Sequence, residues 1–179
     1  MAQAVASIVM NFGSFERQLT DLSDRLQDCP ANSRTAPKAS LSDTLKAIDF
    51  AARNAFGSSR LAERICAFAA VARGLSARRN ILVHGELLQT TEGGFVVAHL
   101  QIRPRQRVIY QITAADVVKL DNDITATNLD LEGFMLGVAD PRFQESQDNP
   151  DMANQLWSAM APVGPHPAVP LKKEAFPQS

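Results

Sequence analysis

The segment from Arg78 to Gly85 contains arginine, amide and imidazole side chains, which together could act on a phosphodiester. Within it, Asn80 directly follows Arg79, and His84 lies four residues beyond Asn80. An arginine binds phosphate through paired donors and stays charged at every physiological pH. An imidazole, which titrates near neutrality, can take up and return a proton. This combination indicates a candidate site that binds and cleaves a phosphodiester.

The spacing raises a geometric question, because these residues follow one long helical pattern. Arg79 and His84 lie about 140° apart around an ideal helix, whereas Asn80 and His84 share a face. The three side chains converge if Arg79 swings round or if the helix loosens near Gly85. Convergence makes more sense if a second copy of the helix lies across the first, because a two-fold axis would then gather two copies of each residue in one cleft.

The run Arg79-Asn80, three aliphatic residues and His84-Gly85 resembles the signature of the HEPN superfamily. HEPN domains are small helical bundles, and many are metal-independent RNases of toxin–antitoxin and antiviral systems. The resemblance covers roughly residues 4–88 and extends to the last predicted helix. Two features depart from the family. The predicted strands at 87–112 are an insertion that a minimal bundle lacks, and no tyrosine follows His84, which argues against regulation by modification of such a tyrosine.

The resemblance implies a role for each motif residue. His84 would act as general acid and base, Arg79 would hold the scissile phosphate, and Asn80 would orient His84 or the RNA. In-line attack by the 2′-hydroxyl would leave a cyclic phosphate without a metal or other cofactor. The resemblance also implies a homodimer with both motifs at its interface and, for a toxin, a cognate antitoxin.

The formal net charge of −1 gives no overall attraction to nucleic acid, so an RNA site must come from local patches. Four arginines near the motif are therefore candidate substrate-binding residues: Arg78, Arg103, Arg105 and Arg107. In the alternative interpretation, these arginines only belong to an ordinary solvated surface. Hydrophobic residues at 45% and charged residues at 21% are typical of a globular chain.

The sequence predicts neither a metal site nor a membrane-spanning helix. Cys29 and Cys66 lie far apart, and the three histidines have no metal-ligand spacing. No uncharged apolar stretch reaches the roughly 18 residues of a transmembrane helix, and the N-terminus lacks the basic region of a signal peptide. We therefore expect a cytoplasmic protein with reduced thiols.

Hydrophobic periodicity predicts a mainly α-helical, HEPN-like bundle. A small antiparallel β-meander at about 87–112 interrupts it, and Gly85 is expected in the left-handed conformation that often ends a helix. The HEPN-like domain would occupy residues 1–140, and a Pro-rich, mostly disordered tail would occupy 141–179. The predicted helices span about 4–27, 40–56, 59–84 and 113–138.

The motif also has a purely structural interpretation. His84 and Gly85 would then cap a helix, Arg79 would pair with Glu86 or Glu63, and Asn80 would be an exposed amide. This favours a non-catalytic HEPN-like module that dimerises or binds a protein or nucleotide partner. Asp49, on the preceding helix, is a further candidate as an orienting carboxylate.

Overall fold

Four long helices dominate the part of the chain that the structure describes. The structure is a computed structural model that describes residues 2–28, 40–91, 94–102, 105–138, 151 and 173–174. The helices span Ala2–Gln27 (α1), Leu41–Phe56 (α2), Arg60–His84 (α3) and Ala114–Val138 (α4). The strands are Glu86–Gln89 (β1), Phe95–Ile102 (β2), Arg105–Gln111 (β3) and Lys173–Glu174 (β4). The prediction of a mainly helical chain with a small antiparallel sheet is confirmed.

The predicted apolar stripes of the helices form the core. On α1 and α4, residues spaced by threes and fours place one face against the other helices. Each leucine or phenylalanine buried in this way contributes roughly 1.5–3 kcal/mol. The buried members of these two stripes are Ile8, Phe12, Phe15, Leu19, Leu22, Leu26, Val117, Leu120, Ile124, Thr127, Leu131 and Phe134.

Local hydrogen bonds fix where the helices begin. The Ser40 hydroxyl accepts from the Asp43 amide at 3.2 Å, so Ser40 is the N-cap of α2. Before α4, the Thr113 hydroxyl accepts from the Asp116 amide at 3.1 Å, and the Asp116 carboxylate accepts from the Thr113 amide at 2.8 Å. This reciprocal arrangement is a capping box.

The end of α3 corrects one prediction. Gly85 has φ −85° and ψ 157°, an extended conformation rather than the left-handed one expected from sequence. Glycine is needed there for space: a Cβ on Gly85 would lie 2.1 Å from Val97 Cγ1 and 2.4 Å from the Ile81 carbonyl oxygen. β2 therefore packs directly behind the residue that follows His84.

The sheet has the strand order β1-β2-β3-β4, with all neighbours antiparallel. Val97 on β2 pairs with Tyr110 on β3, and both are buried against the helices. β4 pairs with Ile109 and Tyr110 at the outer edge of β3, a pairing that the sequence analysis did not predict. The predicted loop at 29–39 and most of the predicted tail lie outside the described residues. Within the described ranges, no helix is long and apolar enough to cross a membrane.

Candidate functional site

The last turns of α3 bring the three motif residues together within one chain. α3 stays helical through His84, and the Gly85 amide donates to the Ile81 carbonyl at 3.0 Å. Arg79 Nη1 donates to Asn80 Oδ1 at 2.9 Å and lies 3.3 Å from His84 Nε2. Of the arrangements that the sequence left open, the structure has the one in which the Arg79 side chain swings round an intact helix.

An aromatic ring from α1 lies beneath the Arg79 guanidinium. The Arg79 Cζ atom is 5.5 Å from the centroid of the Phe12 ring, within the range of a cation–π contact. Phe12 is only 1% exposed and packs edge-on against Phe15, with centroids 5.9 Å apart. Sequence reasoning missed this contact because Phe12 has the same helical spacing as its purely structural neighbours.

The contact between Arg79 and His84 constrains the roles of the two imidazole nitrogens. A guanidinium only donates hydrogen bonds, so Nε2 must accept with a free lone pair. In the tautomer that fits this contact, the imidazole proton lies on Nδ1. The His84 side chain is exposed, so Nε2 can receive a substrate proton once the guanidinium moves to another acceptor.

The charge of Arg79 is not neutralised by a carboxylate among the described residues. Its Nε atom is buried without a hydrogen-bond partner. Its Nη2 atom has no hydrogen-bond acceptor among the described residues. The side chain is half-buried, which strengthens its attraction for an anion relative to a fully solvated cation. These features suit a guanidinium that receives a phosphate.

Arg78, the neighbouring candidate, contacts α4 instead. It is 5% exposed, and its Nη1 contacts Asp123 Oδ2 on α4 at 3.0 Å. Lys119 Nζ lies 2.9 Å from the other Asp123 oxygen. The charge of Arg78 is therefore neutralised inside the α3–α4 contact, away from any surface that RNA could reach directly.

Of the remaining candidate arginines, only the Arg107 side chain is described. Arg107 is exposed on β3 and pairs with Glu86 on β1. Arg105 is the first residue of β3, and Arg103 lies outside the described residues. Glu86, one of the two partners that the structural interpretation offers to Arg79, pairs with Arg107 instead.

Asp49, the candidate orienting carboxylate, is used elsewhere. It pairs with Arg73 on α3, and Arg73 also donates to the Leu45 carbonyl at 3.3 Å. Burial raises the pKa of the nearby Cys66 thiol, and the charge of Asp49 raises it further. In the part of the chain that the structure describes, no three metal-ligating side chains cluster.

Comparison with known proteins adds no relative. No protein-family model, no curated protein and no solved structure matches the chain.

Proposed function

We propose that this chain is a metal-independent endoribonuclease of the toxin or defence type, with Arg79, Asn80 and His84 as its site. The observation that carries the proposal is the 3.3 Å approach of Arg79 Nη1 to His84 Nε2 beside an exposed surface. It joins a cation that no described carboxylate neutralises to an imidazole with a free lone pair. Cleavage of a phosphodiester requires both groups at once.

Substrate binding would separate the two groups. A phosphate oxygen is charged and accepts paired donors from a guanidinium, which makes it a better partner for Arg79 than a neutral imidazole nitrogen. When Arg79 turns to the phosphate, Nε2 loses its donor and becomes free. Nε2 then takes the proton of the 2′-hydroxyl, the 2′-oxygen bonds to phosphorus, and the bond to the 5′-oxygen breaks. Arg79 stabilises the negative charge that builds on the phosphoryl oxygens.

A homodimer would complete this chemistry. The leaving 5′-oxygen needs a proton, and a second copy of His84, in its protonated form, would supply it across a shared cleft. Asn80 would hold the Arg79 guanidinium through its amide oxygen, as it does in the present contact. The requirement for a 2′-hydroxyl nucleophile restricts cleavage to RNA.

The test is cleavage of a mixed RNA in EDTA by wild type, His84→Ala and Arg79→Ala. We expect wild type to leave cyclic phosphate ends and to spare DNA of the same sequence. Loss of a general acid–base group should lower the rate by about 10²–10⁴-fold in His84→Ala. The matched controls are His99→Gln, an imidazole on β2, and Arg53→Ala, an exposed cation on α2, and both should cleave at the wild-type rate.

Two results would overturn the ribonuclease proposal. One is a folded, dimeric wild type that cleaves no RNA. The other is equal cleavage by wild type and His84→Ala. Circular dichroism of every variant separates loss of the site from loss of the fold.

One observation favours the alternative, a non-catalytic dimerisation module. Val118, Leu129 and Leu136 lie on one side of α4 and are 52%, 62% and 72% exposed. Such a stripe is typical of a helix that packs against a partner. If wild type is dimeric without cleaving RNA and Leu129→Arg makes it monomeric, the module is the better description.

A further inference from the structure

The Arg79 side chain leaves α3 on the side that faces the core. It follows Ala72 and Leu75 at helical spacing, and both of those residues are buried. A long charged side chain that starts there can keep its charged end at the surface only by lying along another element. That element is α1, whose Phe12 ring lies 5.5 Å from Arg79 Cζ.

The position of Phe12 is itself fixed by a polar seam between α1 and α4. The adjacent residue, Asn11, donates to Asp121 Oδ1 at 2.9 Å and to Thr125 Oγ1 at 3.3 Å. Ser7, one turn earlier on α1, donates to the other Asp121 oxygen at 2.8 Å. These bonds set the register of α1 against α4, so the ring cannot slide along the bundle without breaking them.

We propose that Phe12 is a positioning residue for the site. Its ring supports one face of the Arg79 guanidinium, so that Nη1 meets His84 Nε2 and the imidazole proton is held on Nδ1. Phe12 thereby determines which nitrogen of His84 has the free lone pair. The effect on His84 stands on the geometry alone, whereas an effect on RNA cleavage rests on the proposed ribonuclease function.

The aromatic face is the property that matters, rather than the volume of the side chain. A ring attracts a cation through its quadrupole, and an aliphatic side chain of similar size does not. With leucine at position 12, the core stays apolar, but the guanidinium loses the surface that holds it in place. Arg79 then samples other directions, and Nε2 loses its donor for part of the time.

The test compares Phe12→Leu with Phe68→Leu by ¹⁵N NMR of the His84 ring, at a pH where the imidazole is neutral. Phe68 is a matched control because it is also 1% exposed and also belongs to an aromatic pair, with Phe134 at 5.7 Å. Arg79→Ala gives the spectrum of His84 without its donor, and His84→Gln identifies the His84 signals. We expect wild type and Phe68→Leu to have the Nδ1–H form, and Phe12→Leu to move toward the Arg79→Ala spectrum.

RNA cleavage provides a second measurement. We expect kcat/KM to fall roughly threefold to thirtyfold in Phe12→Leu, the range of a partly buried cation–π contact, and to stay at the wild-type value in Phe68→Leu. If wild type cleaves no RNA, the ribonuclease proposal fails, and the NMR comparison still decides the role of Phe12.

A wild-type tautomer in folded Phe12→Leu would overturn the positioning role. So would an equal shift in Phe68→Leu, because the effect would then come from general loosening of the core. If Phe12→Leu does not fold, Phe12→Met and Phe68→Met replace the pair, since methionine fills irregular space with less strain.

Discussion

Two neighbouring arginines at the end of α3 have opposite surroundings. On the α4 side, Arg78 is buried and shares Asp123 with Lys119. On the α1 side, Arg79 is half-buried, lies over Phe12 and contacts Asn80 and His84, with no carboxylate partner in the described ranges. Arg78 therefore joins two helices, whereas the neighbouring Arg79 has a charge that no described carboxylate compensates.

The two surroundings show how one guanidinium of a small helical chain can be neutralised while its neighbour has no carboxylate partner among the described residues. A buried guanidinium must be neutralised, because an unpaired charge in the core costs several kcal/mol, on the order of 3–5 when one partner is removed. A guanidinium at the surface of the bundle escapes that cost, and an aromatic ring can hold it without neutralising it. The Asp123 carboxylate therefore supports the fold, and the Phe12 ring supports the site.

Removal of the carboxylate that pairs with Arg78 should destabilise the protein most. Asp123→Ala leaves Arg78 buried without its partner, so we expect the free energy of unfolding in urea to fall by about 3–5 kcal/mol. The side chains of Arg78 and Asp123 are only 6% and 14% exposed, so solvent screens their pair weakly.

The control for Asp123→Ala is Lys119→Ala. Lys119 is 49% exposed and contacts the same carboxylate, so its loss should cost about 0–1 kcal/mol. Equal effects of the two substitutions would contradict a buried Arg78–Asp123 pair. The double variant Arg78→Met/Asp123→Leu should recover much of the lost stability, because it removes both charges together.

An intermediate effect comes from Gly85, directly after the site. Gly85→Ala places a methyl group against Val97 and the Ile81 carbonyl, so we expect a loss of about 1–3 kcal/mol in urea unfolding. Gly133→Ala on α4 is the opposite control, because its Cβ meets nothing within 4 Å. There, alanine should stabilise the helix by roughly 0.5–1 kcal/mol. A neutral Gly85→Ala would mean that β2 does not pack against the end of α3.

Much of the fold could be predicted from sequence because its causes are local. The apolar positions of α1 and α4 repeat at helical spacing, and the residues that cap α2 and α4 lie within three positions of their partners. The strands of the meander also stand out, because turn residues separate them. These features need no knowledge of which helix packs against which.

The environment of the site could not be predicted in the same way. Arg78 and Arg79 are equivalent in sequence, and the carboxylate that distinguishes them lies 45 residues away on α4. Phe12 is one of several apolar residues at the same spacing, so nothing in α1 marks it as the one beneath Arg79. The prediction of a left-handed Gly85 was wrong, because the backbone there is extended and glycine is needed for the close approach of β2.

Removal of the Arg79 charge should change the stability only slightly. Arg79→Met keeps most of the aliphatic stem and removes the charge, so it should lower the free energy of unfolding by about 1 kcal/mol or less. Arg78→Met should cost more, because it leaves the Asp123 carboxylate with an exposed lysine as its remaining cation.

Inorganic phosphate would then separate the roles of the two arginines in the same unfolding experiment. A ligand that binds only the folded state raises the free energy of unfolding by RT ln(1 + L/Kd), where L is the free ligand concentration. Wild type and Asp123→Ala should therefore gain stability as phosphate is added, whereas Arg79→Met should gain none. A phosphate-dependent gain in Arg79→Met equal to that of wild type would show that the anion binds elsewhere, and the uncompensated charge would then have no role as a phosphate ligand.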